Sequence, residues 1–181
     1  ANEGGTKLSK SDLLLSMITL HWHTIKAREE IHALVDRLND EMPRPNNLDK
    51  DFVMKACLVL SDLPVKYRVD NFDNKNLQAM EDKWLGIRES LQAAVELCNR
   101  FGIDESNLLS ANALIPIAYY LQQQKTALTG ESAFDSRNAE IIRRWLTSSL
   151  LNNVFGWQTD QILTEIRQVL KDSASIKGGD F

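Results

Sequence analysis

Apolar residues recur along this chain at the spacing of helices rather than of strands. Between Leu13 and Leu38 they return every three or four residues, which is the period of one face of a helix. The same period continues from Phe52 to Leu60, and no stretch shows the strict alternation typical of a half-buried strand. The pattern predicts an all-α protein, a compact bundle of about six helices.

The most apolar stretch, residues 112–123, is predicted to be the helix at the centre of this bundle. No charged residue occurs from Asn107 to Gln124, and a helix that is apolar on nearly every face is normally buried. Its run of about ten apolar residues is shorter than the roughly 20 that a membrane span requires. Two alternatives stay open for Pro116: a first-turn position if Asn112 caps the helix, or a kink in a helix that begins at Leu108.

The first predicted helix begins with a capping signal. Ser9 and Asp12 have the spacing of a capping box, in which the serine and an acidic residue three positions later satisfy backbone N–H groups. We expect one continuous helix from there to Asn39. The remaining helices are predicted to start at Asp49 or Asp51, near Leu77, at Asp135 or Ser136, and at Thr159 or Asp160.

The most regular apolar pattern lies between Leu77 and Phe101. Its apolar positions alternate in steps of three and four, a repeat of 3.5 residues that is typical of coiled coils and bundles. Gly102 follows as a signal for the end of the helix. The favoured interpretation is a helix packed inside a single bundle, and the alternative is a homodimer joined along this 77–101 seam.

Several residues of chemical interest have simpler structural interpretations. Histidines two positions apart point in different directions on a helix, so the sequence gives little support for a metal site. The acidic pairs are assigned to solvated helix faces, the two cysteines to the core, and the tryptophans to packing. The histidines are His21, His23 and His32, and the acidic pairs are Glu29–Glu30 and Glu81–Asp82. The cysteines are Cys57 and Cys98, and the tryptophans are Trp84, Trp145 and Trp157.

The charge of the chain is modestly acidic, with a formal net value of −4. This balance gives no electrostatic reason for tight nucleic-acid binding by the chain as a whole. The best basic cluster is Arg137, Arg143 and Arg144, which is the candidate contact for a phosphate backbone. Without a signal peptide or an apolar span, the sequence predicts a cytoplasmic protein that does not enter a membrane.

Two groups of motifs resemble the GmrSD restriction-endonuclease N-terminal-domain family. Residues 2–13, Asn-Glu-Gly-Gly-Thr-Lys-Leu-Ser-Lys-Ser-Asp-Leu, resemble its Asn-x-Gly-Gly-Thr-x-Leu-Ser-x-x-Asp-Leu motif. Residues 112–120 resemble a downstream helical region of that family. So do Trp145-Leu146, Leu150-Leu151, Phe155-Gly156, Asp160 and Ile166-Arg167.

The resemblance implies a division of labour between this chain and a preceding domain. In that family the first motif closes a ParB/sulfiredoxin-like domain, whose Asp-Gly-Gln-Gln-Arg signature is associated with nucleotide hydrolysis or nuclease chemistry and does not occur here. Residues 1–8 are then expected to end a truncated ParB-like domain, residues 9–172 to form the helical domain, and residues 173–181 to be a disordered tail. Glu3 departs from the Ser or Thr common at its position.

The implied function is that of a non-catalytic helical fragment from a DNA-modification-dependent restriction or phage-defence protein. The fragment itself is not expected to be an enzyme or to bind a cofactor; nucleotide triphosphate and a divalent metal are expected in the intact protein. The alternative is a stand-alone protein–protein interaction module that forms the 77–101 homodimer. Expected partners are another protein or a second copy, with DNA contacted through the intact protein. The resemblance places four residues near a ligand, and only in the intact protein: Asn2, Gly4, Gly5 and Thr6.

Overall fold

A computed structural model of the chain describes residues 9–174 and 179–181. Within these residues it contains seven α-helices and no strand, which confirms the all-α prediction. Short 3-10 turns lie at Val69–Asn71, Ala111–Ala113 and Val154–Gly156. The helices are α1 (Lys10–His21), α2 (Ala27–Asp40), α3 (Lys50–Leu60), α4 (Asn74–Arg100), α5 (Leu114–Gln124), α6 (Ala133–Leu151) and α7 (Thr159–Ala174).

Helix α5 lies at the centre of the bundle, as its composition predicts. All residues from Leu114 to Leu121 are buried, and the helix packs most extensively on α4 and also on α3 and α7. Pro116 occupies the first turn, where most backbone N–H groups lack an acceptor within the helix. The first of the two alternatives for Pro116 is therefore confirmed, although Asn112 lies in the preceding 3-10 turn instead of at the cap.

The seam along α4 is buried within the single chain. The apolar seam positions between Leu77 and Cys98 are each at most 2% exposed, because α4 packs on α5 and on the helices beside it. A surface that is already covered cannot also join two copies. The bundle interpretation is correct, and the alternative homodimer through the 77–101 seam loses its interface.

The predicted continuous helix from the capping box to Asn39 is wrong. The chain forms α1 and α2, separated by residues 22–26. No proline or glycine marks this break. Its cause lies in α4, where Glu81 accepts hydrogen bonds from the backbone of the break.

The assignments of the cysteines and of two tryptophans to packing agree with the structure. Cys57 and Cys98 are free and fully enclosed, and burial raises the pKa of each thiol to about 12. Trp84 is buried and Trp145 is half-buried against the core. The packing assignment is wrong for Trp157, which is 81% exposed in the turn between α6 and α7.

The start of α6 and the end of the chain differ from prediction. Helix α6 begins earlier than expected because the side chain of Ser132 caps it by accepting the backbone N–H of Asp135. At the other end, α7 continues to Ala174; of the predicted tail, residues 175–178 lie outside the described residues, and Gly179 to Phe181 contact α5 and α6. Within the described residues, no helix combines the length and apolar character that crossing a membrane takes.

Candidate functional site

The first turn of α1 is where the motif-bearing N-terminal segment joins the bundle. The predicted ligand-site residues Asn2, Gly4, Gly5 and Thr6 lie outside the described residues. The described structure begins at Ser9, whose hydroxyl oxygen accepts the backbone N–H of Asp12 at 3.1 Å. The same hydroxyl donates to the Asp12 carboxylate at 2.6 Å. Ser9 therefore caps α1, as the sequence predicts.

Side chains of this turn also contact α3. Lys50 forms an ion pair with Asp12, and the Ser11 hydroxyl donates to the Asp51 carboxylate at 2.7 Å. Because Lys50 and Asp51 form the first turn of α3, capped by Asp49, the beginnings of two helices are tied together. The Lys50 hydrogen bond, followed by that of Ser9, lowers the pKa of Asp12 to about 2.

A third segment joins the same cluster through Tyr67. Its hydroxyl donates to the other oxygen of Asp51 at 2.9 Å, and its backbone carbonyl accepts from the ammonium group of Lys10. Burial, followed by the hydrogen bond to Asp51, raises the pKa of Tyr67 and keeps it a neutral donor. We call Lys10, Ser11, Asp12, Lys50, Asp51 and Tyr67 the α1 clamp.

A small polar pocket of about 310 Å³ lies beside the α1 clamp. Its polar lining residues are Asp49, Asp51, Lys55, Tyr67 and Asn112. Lys55 is paired with Asp160 of α7 at 3.0 Å, and Asp51 already accepts from two hydroxyl groups. Charges satisfied in this way fix the relative positions of chain segments; they are not poised as a free acid, base or nucleophile.

The histidines are distributed along the first two helices. His21 ends α1, His23 lies in the break after it, and His32 is exposed on α2. Across residues 9–174 and 179–181, no group of three or more His, Cys, Asp or Glu side chains has the geometry to hold a metal ion.

The three predicted nucleic-acid contacts are exposed side chains of α6. Arg143 and Arg144 both pair with Glu140, at 2.8 and 2.7 Å, and Arg137 pairs with Asp180. The two arginines lower the pKa of Glu140 to about 2. Each arginine therefore carries an acidic partner, and contact with DNA stays a prediction.

Glu81 is a key residue that the sequence assigned to the wrong environment. The sequence predicts a solvated face for Glu81 and Asp82, yet Glu81 is only 5% exposed. Its Oε1 accepts the backbone N–H groups of His23, Thr24 and Ile25 at 2.7–3.2 Å. Its spacing, four residues after Leu77 and three before Trp84, places it beside the apolar seam and is a sequence signal of burial.

A second overlooked feature is a groove in which Gly179 to Phe181 lie. Its base is Asn138 of α6, which is fully buried. Tyr120 of α5 and Trp145 of α6 form its aromatic walls. We call this feature the Asn138 groove.

Fold and contacts together define a helical bundle whose first helix is fastened at its start by a polar network. No protein-family model matches the sequence, and no curated protein is detectably similar to it. The resemblance to the GmrSD family therefore stays a prediction.

Proposed function

We propose that this chain is the helical support of a larger restriction- or defence-type protein. In this proposal the bundle carries a nucleotide-hydrolysing or nuclease head whose last motif leads into α1. The observation that carries the proposal is the α1 clamp, which ties the first turn of α1 to α3 and to the segment before α4.

The α1 clamp is better suited to fixing the orientation of an attached segment than to stabilising the bundle. Exposed ion pairs each contribute only about 0–1 kcal/mol, and Asp12 and Lys10 are not enclosed. Helix ends otherwise fray, which leaves the orientation of any attached segment undefined. Contacts from three successive residues to two other segments define that orientation.

The motif residues that the structure describes have roles in this attachment. Ser9 and Asp12 are the Ser and Asp of the Leu-Ser-x-x-Asp-Leu part of the resemblance. Ser9 caps α1, and Asp12 accepts from both Ser9 and Lys50. The spacing that produced the resemblance is thus the spacing that starts and fixes this helix.

We assign cofactor chemistry to the head. Nucleotide triphosphate and a divalent metal would bind there, and contacts with DNA or a partner protein would belong to the intact protein. The contribution of this chain is to hold the head at a fixed position on a rigid bundle.

The test compares two proteins in nucleotide-hydrolysis and DNA-cleavage assays. One is the 181-residue chain, and the other is the same chain with any residues that its gene encodes ahead of Ala1. We expect turnover only from the extended protein. Turnover by the 181-residue chain would contradict a supporting role, and turnover by neither would contradict the catalytic head.

A variant of the extended protein tests the α1 clamp itself. Asp51→Asn weakens the acceptor shared by Ser11 and Tyr67 and is expected to lower turnover while the bundle stays folded. The matched control is Asp36→Asn, an equal change of charge on the exposed face of α2. Equal turnover by the Asp51→Asn and Asp36→Asn variants would contradict a role for the α1 clamp in holding the head.

A further inference from the structure

The Asn138 groove contacts the backbone of Gly179 and Phe181 and the side chains of Asp180 and Phe181. The ring of Phe181 makes edge-to-face contacts with Tyr120 and Trp145, with centroids 5.3 and 5.1 Å apart. Aromatic pairs in this arrangement stabilise beyond the area that they bury. The groove therefore has a defined position for one aromatic side chain.

Polar contacts define the two residues before that ring. The carbonyl of Gly179 accepts from the Gln124 amide at 3.4 Å and lies 3.0 Å from the Tyr120 hydroxyl, whose single hydrogen it shares with Asn138 Oδ1. The Asp180 carboxylate accepts from the Asn138 amide at 3.2 Å and pairs with Arg137. An acidic residue directly before the aromatic one is thus matched by a charge and by a hydrogen-bond donor.

Asn138 itself indicates a site built for a peptide. Its Oδ1 accepts from the Tyr120 hydroxyl and from the backbone N–H of Phe181, both at 2.9 Å. Its Nδ2 donates to the Phe134 carbonyl and to Asp180. Two of these four bonds exist only while the segment is bound, and an unsatisfied buried amide is costly.

The segment leaves part of the neighbouring space open. A cleft of about 430 Å³ lies beside Phe181, between α6 and α7. Ile141, Trp145, Ile166 and Leu170 line it with largely apolar surface. A ligand with the same three residues and one more apolar side chain would make contacts that Gly179 to Phe181 do not.

We propose that the Asn138 groove is a recognition site for an extended Gly-Asp-aromatic segment of a partner protein. Gly179 to Phe181 occupy it as an internal competitor. Only residues 175–178 separate them from the end of α7, and so short a connection gives a high effective concentration. A partner segment binds when it also fills the cleft or when the internal segment is weakened. This inference does not depend on the proposed head domain.

The test measures binding of a fluorescently labelled acetyl-Gly-Gly-Asp-Phe-amide peptide by anisotropy. The amide end is appropriate because the contacts described above use only backbone groups, the Asp carboxylate and the aromatic ring. We expect Phe181→Ala to bind this peptide about tenfold or more tightly than the unchanged chain, because the internal competitor is removed. Should Phe181→Ala fail to fold, Asp180→Ala replaces it and is expected to shift binding in the same direction.

Matched variants test the contacts in the Phe181→Ala background. Arg137→Gln should weaken binding about two- to fivefold, the scale of an exposed ion pair. Arg143→Gln, on the same helix but paired with Glu140, should leave binding unchanged. A peptide with Ala in place of Phe should not bind.

Three results would overturn the proposal. The first is a folded Phe181→Ala chain that does not bind the peptide at millimolar concentration, and the second is equal binding by the Arg137 and Arg143 variants. The third is light scattering that shows a dimer for the unchanged chain and a monomer for the Phe181→Ala variant. In that case the occupant is a second copy of this chain instead of a partner.

Discussion

The carboxylate of Glu81 accepts both the backbone N–H and the hydroxyl hydrogen of Thr24, at 2.7 and 2.8 Å. The same oxygen also accepts the backbone N–H groups of His23 and Ile25. These donors belong to the break between α1 and α2, where helix geometry no longer supplies acceptors. One side chain of α4 therefore determines where the first two helices separate.

Replacing Glu81 tests this relationship. Glu81→Ala leaves the backbone N–H groups of the break without their acceptor, and we expect a loss of about 2–4 kcal/mol in the free energy of unfolding. Glu81→Gln keeps an oxygen acceptor but removes the charge, so its loss should be smaller. Urea denaturation followed by circular dichroism measures both, and Asp82→Ala on the exposed neighbour is the control. Equal losses for Glu81→Ala and Asp82→Ala would contradict the assigned role.

The ionisation of Glu81 predicts a dependence of stability on pH. Burial acts to raise its pKa, but hydrogen bonds from Thr24, His23 and Ile25 outweigh it, and the pKa lies below the usual 4.5. The folded state therefore favours the carboxylate. Its stabilisation is complete above about pH 4.5 and declines as the pH falls through the lowered pKa.

Comparison with Glu81→Gln isolates this effect from other carboxylates. The difference in unfolding free energy between the unchanged chain and Glu81→Gln should be constant at neutral pH and shrink below about pH 4.5. Denaturation at several pH values measures it. A difference that grows as the pH falls would show that the carboxylate is not the stabilising form.

Two glycines in or beside α4 should respond to alanine in opposite ways. Gly102 has a φ of +84°, and no atom lies within 4 Å of an added Cβ, so Gly102→Ala introduces backbone strain alone. We expect a loss of about 1–2 kcal/mol. Gly86 lies within the helix with only the flexible Gln122 amide near, at 3.6 Å. Gly86→Ala should stabilise by about 0.5–1 kcal/mol.

Thermal unfolding of the two variants checks these directions. A melting temperature that rises for Gly86→Ala and falls for Gly102→Ala is expected. A melting temperature that changes in the same direction for both variants would contradict the conformations assigned to Gly86 and Gly102.

Truncation in the central helix should be more damaging than truncation of the half-buried Trp145 on α6. Leu114→Ala and Ile117→Ala remove fully buried side chains, and each should cost about 2–5 kcal/mol. Trp145→Ala removes a half-buried ring that contacts Phe155 and Phe181, so part of its cost is the loss of the occupied groove. Unchanged melting temperatures in all three variants would contradict the core.

Local patterns were sufficient to predict much of the fold. The buried α5, the seam of α4, the Ser9 cap and the stop at Gly102 each follow from residues close together in the sequence. The break after α1 does not, because its cause is Glu81, more than fifty residues away. The Asn138 groove was missed for the same reason, since Asn138 and Phe181 meet only in the folded chain.

The candidate site was predictable only in part. The spacing of Ser9 and Asp12 indicates a cap, and the structure confirms it. The partners Lys50, Asp51 and Tyr67 could not be inferred, because charged and polar residues at helix starts are common on any solvated surface. Their arrangement becomes visible only when α1 and α3 are placed side by side.

For the bundle to hold a preceding domain, α1 must begin at a fixed position. Site-resolved amide hydrogen exchange of the 181-residue chain measures whether it does. We expect the N–H groups of Leu13 to Leu15 to be protected nearly as well as those of Val53 and Met54 in α3, and Asp51→Asn to reduce that protection selectively. Exchange of Leu13 to Leu15 at the rate of an unstructured peptide would contradict the claim, because a frayed helix start holds nothing in place.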